Sequence, residues 1–234
     1  MEEAIVKIKE ASLPISFPEG FAPLSLRKQD FLLRLLLSAI GYAPIACLCF
    51  AIFGWIPLHI SGFTIVLPAY ICAVALGIAF PAYGRMALRG LLLGVFATLV
   101  YDSTRLPFIL SGRWPDFIPR IGDLLLAATN VPWPIGYLYR YLGDGGGMGI
   151  AFLMFFPRLR FRSRGAVIKA GIFYGVAIWG SLLLTLLLAP GAQTRLFPLN
   201  PLTFVMSLVG HLVYGGVLGL GVSYGKTKVH LPSL

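Results

Sequence analysis

The chain has 234 residues, 58% of them hydrophobic and 12% charged, with a mean hydropathy of +0.84 and a formal net charge of +10. Soluble domains carry about 25% charged residues, so this composition excludes an ordinary soluble domain. Apolar runs long enough to cross a bilayer recur along the chain, and lipid tolerates no unpaired backbone group, so the predicted fold class is all-α, a polytopic transmembrane helical bundle.

Residues 1–30 are mixed in charge and interrupted by Pro14, Pro18 and Pro23, which predicts a cytoplasmic leader outside the bundle. The first apolar run begins at Phe31, after that charged leader, and is long enough to remain as an anchor, so no cleavable signal peptide is expected. Six spans follow, at about 31–55, 62–83, 90–110, 133–157, 165–190 and 202–225, forming one transmembrane domain over 31–225. Residues 226–234 are left as a cytoplasmic tail.

Orientation follows from Lys and Arg. One side receives 14 of them: five up to Arg34, then Arg85 and Arg89, five from Arg158 to Lys169, and Lys226 with Lys228. The other side receives only Arg113, Arg120 and Arg195, while Arg105 and Arg140 lie inside spans. The positive-inside rule then places both termini in the cytoplasm, which an even number of crossings satisfies. The basic excess is therefore mostly topogenic, and nucleic acid is not an expected partner. "PRLRFRSRG", residues 157–165, is read as topogenic charge with access to anionic headgroups.

Three cysteines, Cys47, Cys49 and Cys72, all fall in apolar runs and read as small buried hydrophobes, not as a disulfide or zinc framework. Between the third and fourth spans, Trp114, Phe117, Ile118, Ile121, Leu124, Leu125 and Ala128 recur at helical spacing, with Asp116, Arg120 and Asp123 mostly opposite. That pattern predicts an interfacial amphipathic helix over about 114–129 on the outer side, either a connector or a lid over an outward-facing cavity. Glycines four apart open the third span, Gly90 and Gly94, and again the fifth, Gly171 and Gly175, which two parallel repeats of a helix pair would explain.

The third span carries "YDSTR", which places Asp102 and Arg105 inside the membrane, where each charge costs about 2.5–3.5 kcal/mol on insertion scales. The fourth span adds Arg140 and Asp144, and the sixth His211. At 1.5 Å per residue all five lie roughly 8–17 Å below the outer surface. Asp102 and Arg105 are three apart, and Arg140 and Asp144 four apart, so each pair is expected to share a helix face and form an internal ion pair. Ser207, His211, Gly215, Gly219 and Ser223 repeat every four residues, a stripe typical of helix–helix contact. Asp102, Arg105, Arg140, Asp144 and His211, with Tyr101 beside them, are therefore the candidate substrate- or ion-binding residues. The structural alternative is a polar network that ties helices together, with Arg105 reaching the outer headgroups if Pro107 ends its helix early.

"GDGGGMG", residues 143–149, is expected either to break the helix and expose backbone dipoles or to provide a face for close packing. No nucleotide loop, zinc motif or nucleophile elbow is present, and His59, His211 and His230 are spaced too far apart to share a metal. No metal site and no cofactor is expected, and the motifs lean away from an enzyme. "GHLVYGGVLGLG", residues 210–221, resembles the last helix of several small, uncharacterised bacterial polytopic inner-membrane proteins. That resemblance implies a helical bundle in a bacterial inner membrane and no particular activity.

The functional expectation is an outward-facing intramembrane polar site that binds or moves a small solute or ion, proton-coupled if the carboxylates are the charge carriers. Two alternatives stand beside it. One is a membrane-embedded enzyme acting on a lipid or lipid-linked substrate. The other is an assembly or cofactor-bearing subunit with His211 as an axial ligand. The expected partners are the lipid bilayer, the solute or ion, and other membrane subunits.

Overall fold

The computed structural model describes residues 24–156 and 163–225, and among these every regular element is helical. The expectations for most of the leader, for residues 157–162 of the basic stretch and for the tail with Lys226, Lys228 and His230 lie outside the described residues.

Helix α1 runs Leu24–Phe53 and α2 runs Leu58–Ala79, with one π-helical turn over Gly62–Val66. Helix α3 spans Pro81–Leu110, α4 Ile118–Leu126, and α5 residues 133–155. Helix α6 is Arg164–Leu188, α7 the single turn Ala192–Arg195, and α8 Pro201–Gly225. Five of these, α1, α2, α3, α6 and α8, contain a stretch long and apolar enough to cross a membrane. They are consistent with a multi-pass integral membrane protein.

The expected second span, 62–83, stops early. Pro81 forces Phe80 out of the helical region (φ −127°, ψ 77°), and a new helix starts at Pro81 itself, nine residues before the expected third span. Gly77 and Gly84 let the two helices meet at that sharp corner, because a methyl on Gly84 would run into the Gly77 backbone. The expected fourth span is α5, and it is not one regular helix. Trp133–Leu138 and Gly146–Phe155 are α-helical, and Tyr139–Gly145 between them is wound as π-helix.

α5 is also the most enclosed element, with Gly146 to Phe152 buried throughout. Its glycines explain how. Gly41 of α1 faces Gly147, Gly90 of α3 faces Gly149, and Gly94 faces Gly145, each so close that a methyl would meet backbone carbonyl. The glycine run therefore does not break the helix; it lets α1 and α3 press against it from two sides. A second pair repeats the device, with Gly171 against Gly215 and Gly219, and Gly175 against the His211 carbonyl and Gly215. In both pairs the numbering rises on one helix and falls on the other, so both are antiparallel. Tyr214 and Tyr174 then join the pairs by donating hydrogen bonds to the carbonyls of Gly145 and Met148, at 2.7 and 2.9 Å.

One end of the bundle is closed by α4, α7 and their loops. Trp114, Ile118 and Ile121 are buried in one cluster with Ile52, Leu196 and Phe197, so the apolar face of α4 rests on protein. Arg120 donates to the Thr194 carbonyl at 2.7 Å, and Arg195 caps the last carbonyls of α1, Ile52 among them at 2.9 Å. At the opposite end Asp30 accepts from Arg34 and from Tyr83, both at 2.7 Å, tying α1 to α3.

Candidate functional site

The six sequence-predicted residues come together beneath α4. Asp102 and Arg105 point the same way from α3, with Arg105 Nε 3.7 Å from Asp102 Oδ1. Helix α3 passes through Pro107 without ending, so Arg105 does not escape outward; it is 2% exposed. Its guanidinium continues to Asp116 of the α3–α4 loop at 3.4 Å and lies 5.0 Å from the Phe117 ring centre. Asp116 in turn accepts a 2.8 Å hydrogen bond from Tyr137. The expected pairing of Arg105 with Asp102 is present, and it is the inner half of a chain of charges that reaches the connector.

Arg140 departs from expectation. Its guanidinium is 3.4 Å from Asp102, across to α3, and the ion pairs among the described residues do not join it to Asp144. The segment Tyr139–Gly145 is wound as π-helix, and Arg140 turns to the carboxylate of the neighbouring helix and not to the one four residues on. Arg140 also stacks over Tyr101 at 4.9 Å, and the edge of that ring meets His211 at 5.0 Å and 87°. His211 Nδ1 lies 2.7 Å from the Ser207 carbonyl. A carbonyl can only accept, so this nitrogen carries a proton and donates it.

Asp144 stands apart. It is 1% exposed, and its Oδ1 has no hydrogen-bond partner among the described residues. It lines a cavity of about 250 Å³ together with Arg140, Tyr101 and His211. α1 and α6 supply most of the remaining wall, through Ile45, Leu48, Ile52, Ile178 and Leu182, and Phe117, Ile121, Leu196 and Phe197 cover the α4 end. Asp102 and Arg105 do not reach the cavity and sit behind Arg140 and Tyr101. The linked group holds three carboxylates, Asp102, Asp116 and Asp144, against two guanidiniums, Arg105 and Arg140. The arginines are taken up by Asp102 and Asp116, which leaves Asp144 as the uncompensated acid.

Several contributors were not legible in the sequence. Asp116 reads as a polar position of the connector and Tyr137 as one residue of the expected fourth span, and nothing in the spacing of Arg105 and Asp116 marks them as partners. Tyr42 and Thr185 join the wall only because α1 and α6 face one another across the cavity. Among the described residues no group of three or more His, Cys, Asp and Glu side chains is placed to hold a metal.

What fold and site define together is a multi-pass helical bundle with a buried, charge-bearing cavity near one end. No family model, curated protein or solved structure matches the chain.

Proposed function

We propose that this is a six-crossing membrane protein, both termini cytoplasmic, that binds or moves a small solute or ion through the cavity beneath α4, with Asp144 exchanging a proton as it does so. The crossings are α1, α2, α3, α5, α6 and α8, and the Lys and Arg distribution supports the orientation. That orientation sets the α4 end of the bundle on the outer face. A bacterial inner membrane is the location that the last-helix resemblance implies.

The observation that carries the reading is Asp144: an enclosed carboxyl, one oxygen unpartnered, at a cavity whose other charged lining residue, Arg140, is ion-paired to Asp102 behind it. A lone carboxylate is stable in such surroundings only when a proton or a cation neutralises it. A site that alternates between those two neutralisers couples them.

The test is infrared difference spectroscopy of the reconstituted protein across a pH series. A protonated-carboxyl C=O band that titrates in the native chain, vanishes in Asp144→Asn and persists in Asp102→Asn is expected. A band that survives Asp144→Asn would overturn the assignment.

One observation favours the enzyme alternative. The wall between α1 and α6 is apolar and its margin is exposed at Tyr42 and Ser181, an approach that suits a lipid substrate. An altered lipid profile in a deletion strain, with solute uptake unchanged, would transfer the proposal to that class.

A further inference from the structure

Building on that proposed function, we infer that the cavity takes a small lipophilic amine in its ammonium form, admitted sideways between α1 and α6. Three features point to this class. The first is charge. Asp102, Asp116 and Asp144 outnumber Arg105 and Arg140 by one charge, Arg140 in the cavity wall is ion-paired to Asp102, and Asp144 offers a cation an open Oδ1. An N–H donor on a cationic nitrogen would form a charge-assisted hydrogen bond there, stronger than a neutral one.

The second is wall chemistry. Ile45, Leu48, Ile52, Ile178 and Leu182 make the wall mostly apolar, and the scattered polar groups of Tyr42, Ser181, Thr185 and His211 replace only part of the water an inorganic ion would shed. An organic cation brings its own apolar surface to those walls. The volume, about 250 Å³, lies just under the roughly 300–1,000 Å³ of drug-sized pockets, and so fits one ring or a short chain. Tyr42 and Phe117 place aromatic rings in the lining, where a cation is also favoured.

The third is access. Phe117 and Phe197 cover the α4 end, and α5 closes the floor. Across the α1–α6 seam Cys49 Sγ and Thr185 Oγ1 share a 3.7 Å hydrogen bond, and the Tyr42 and Tyr174 rings lie 6.4 Å apart, so side chains and not backbones meet there. Tyr42 is 39% exposed, and Ser181 beside the cavity is exposed as well. A lipophilic amine partitions into the bilayer and arrives at that seam from the acyl chains.

The experiment is calorimetric titration of the full chain in mild detergent with benzylamine and with benzyl alcohol, which matches its shape without the charge. Benzylamine should bind at least about tenfold tighter, a factor at the low end of what close charge pairs contribute across interfaces. Asp144→Asn should erase that preference and Asp144→Glu should keep it, with thermal unfolding showing both variants folded. Equal affinity for the two probes, or benzylamine binding undiminished in Asp144→Asn, overturns the inference. If neither probe binds while the carboxyl band still titrates, the amine assignment falls and the proton-exchanging site stands. If the band does not depend on Asp144, the proposed function itself falls.

Discussion

The two antiparallel helix pairs, α3 with α5 and α6 with α8, use the same joint for different ends. Each crosses at two glycines on either helix, backbone against backbone. Eleven residues beyond the second glycine, however, α3 carries Arg105 and α6 carries Leu186, both 2% exposed. Where the first pair has Tyr101 and Asp102, the second has Leu182 and Leu183. The second pair adds a 3.0 Å hydrogen bond from Trp179 to Ser207 to its glycine crossing and has no ion pair at these positions, so the Asp and Arg side chains of the first pair are not required to hold such a pair together. That difference is the physical reason for reading the charges as a site.

The comparison can be broken most severely at Arg105. Arg105→Leu copies the second pair's residue into the first, and it strands Asp102 and Asp116 in an enclosed space. A loss of about 3–5 kcal/mol is expected, seen as a collapse of the thermal unfolding temperature in detergent. If Arg105→Leu is neutral, the two pairs are interchangeable and the charge chain is ornament. The crossings come next. Gly94→Val and Gly175→Val each push a side chain into a facing backbone carbonyl and should cost about 3 kcal/mol or more, by the same measurement and to a similar extent in both pairs. A large effect in one pair alone would deny the shared joint.

Smaller effects sharpen the contrast. Asp144→Asn removes a charge whose Oδ1 has no partner, so it should leave stability unchanged or raise it by about 1 kcal/mol while abolishing the titrating carboxyl band. Asp102→Asn, which disturbs contacts to both Arg105 and Arg140, should destabilise instead. Opposite signs for these two acids would separate the site from its support. The smallest expected change is Tyr214→Phe, which removes the hydrogen bond from the second pair to the Gly145 carbonyl; about 1 kcal/mol is expected.

Much of the architecture was visible in residue order. The apolar runs over α1, α3, α6 and α8 mark helices because only long uniform stretches bury backbone in lipid, and the stripe from Ser207 to Ser223 marks the face that α8 turns to α6. The Asp102–Arg105 pair was visible as well, since three residues on a regular helix fix the geometry. The same rule failed for Arg140 and Asp144. Their spacing is equally favourable, but Asp102 of α3 lies within reach of Arg140 and takes it up, a partner that the order of residues in α5 does not reveal.

Composition, hydropathy and the distribution of Lys and Arg were therefore enough to establish an all-helical chain of membrane character, because these depend on the solvent around each segment and not on its neighbours. Which charge meets which, and which is left without a partner, depended on contacts between residues far apart in the chain: Arg105 with Asp116, Arg140 with Asp102, Asp144 with an open cavity between α1 and α6. Only the packed helices decide those, since a side chain a few ångströms long finds its partner through the angle and depth at which two backbones cross.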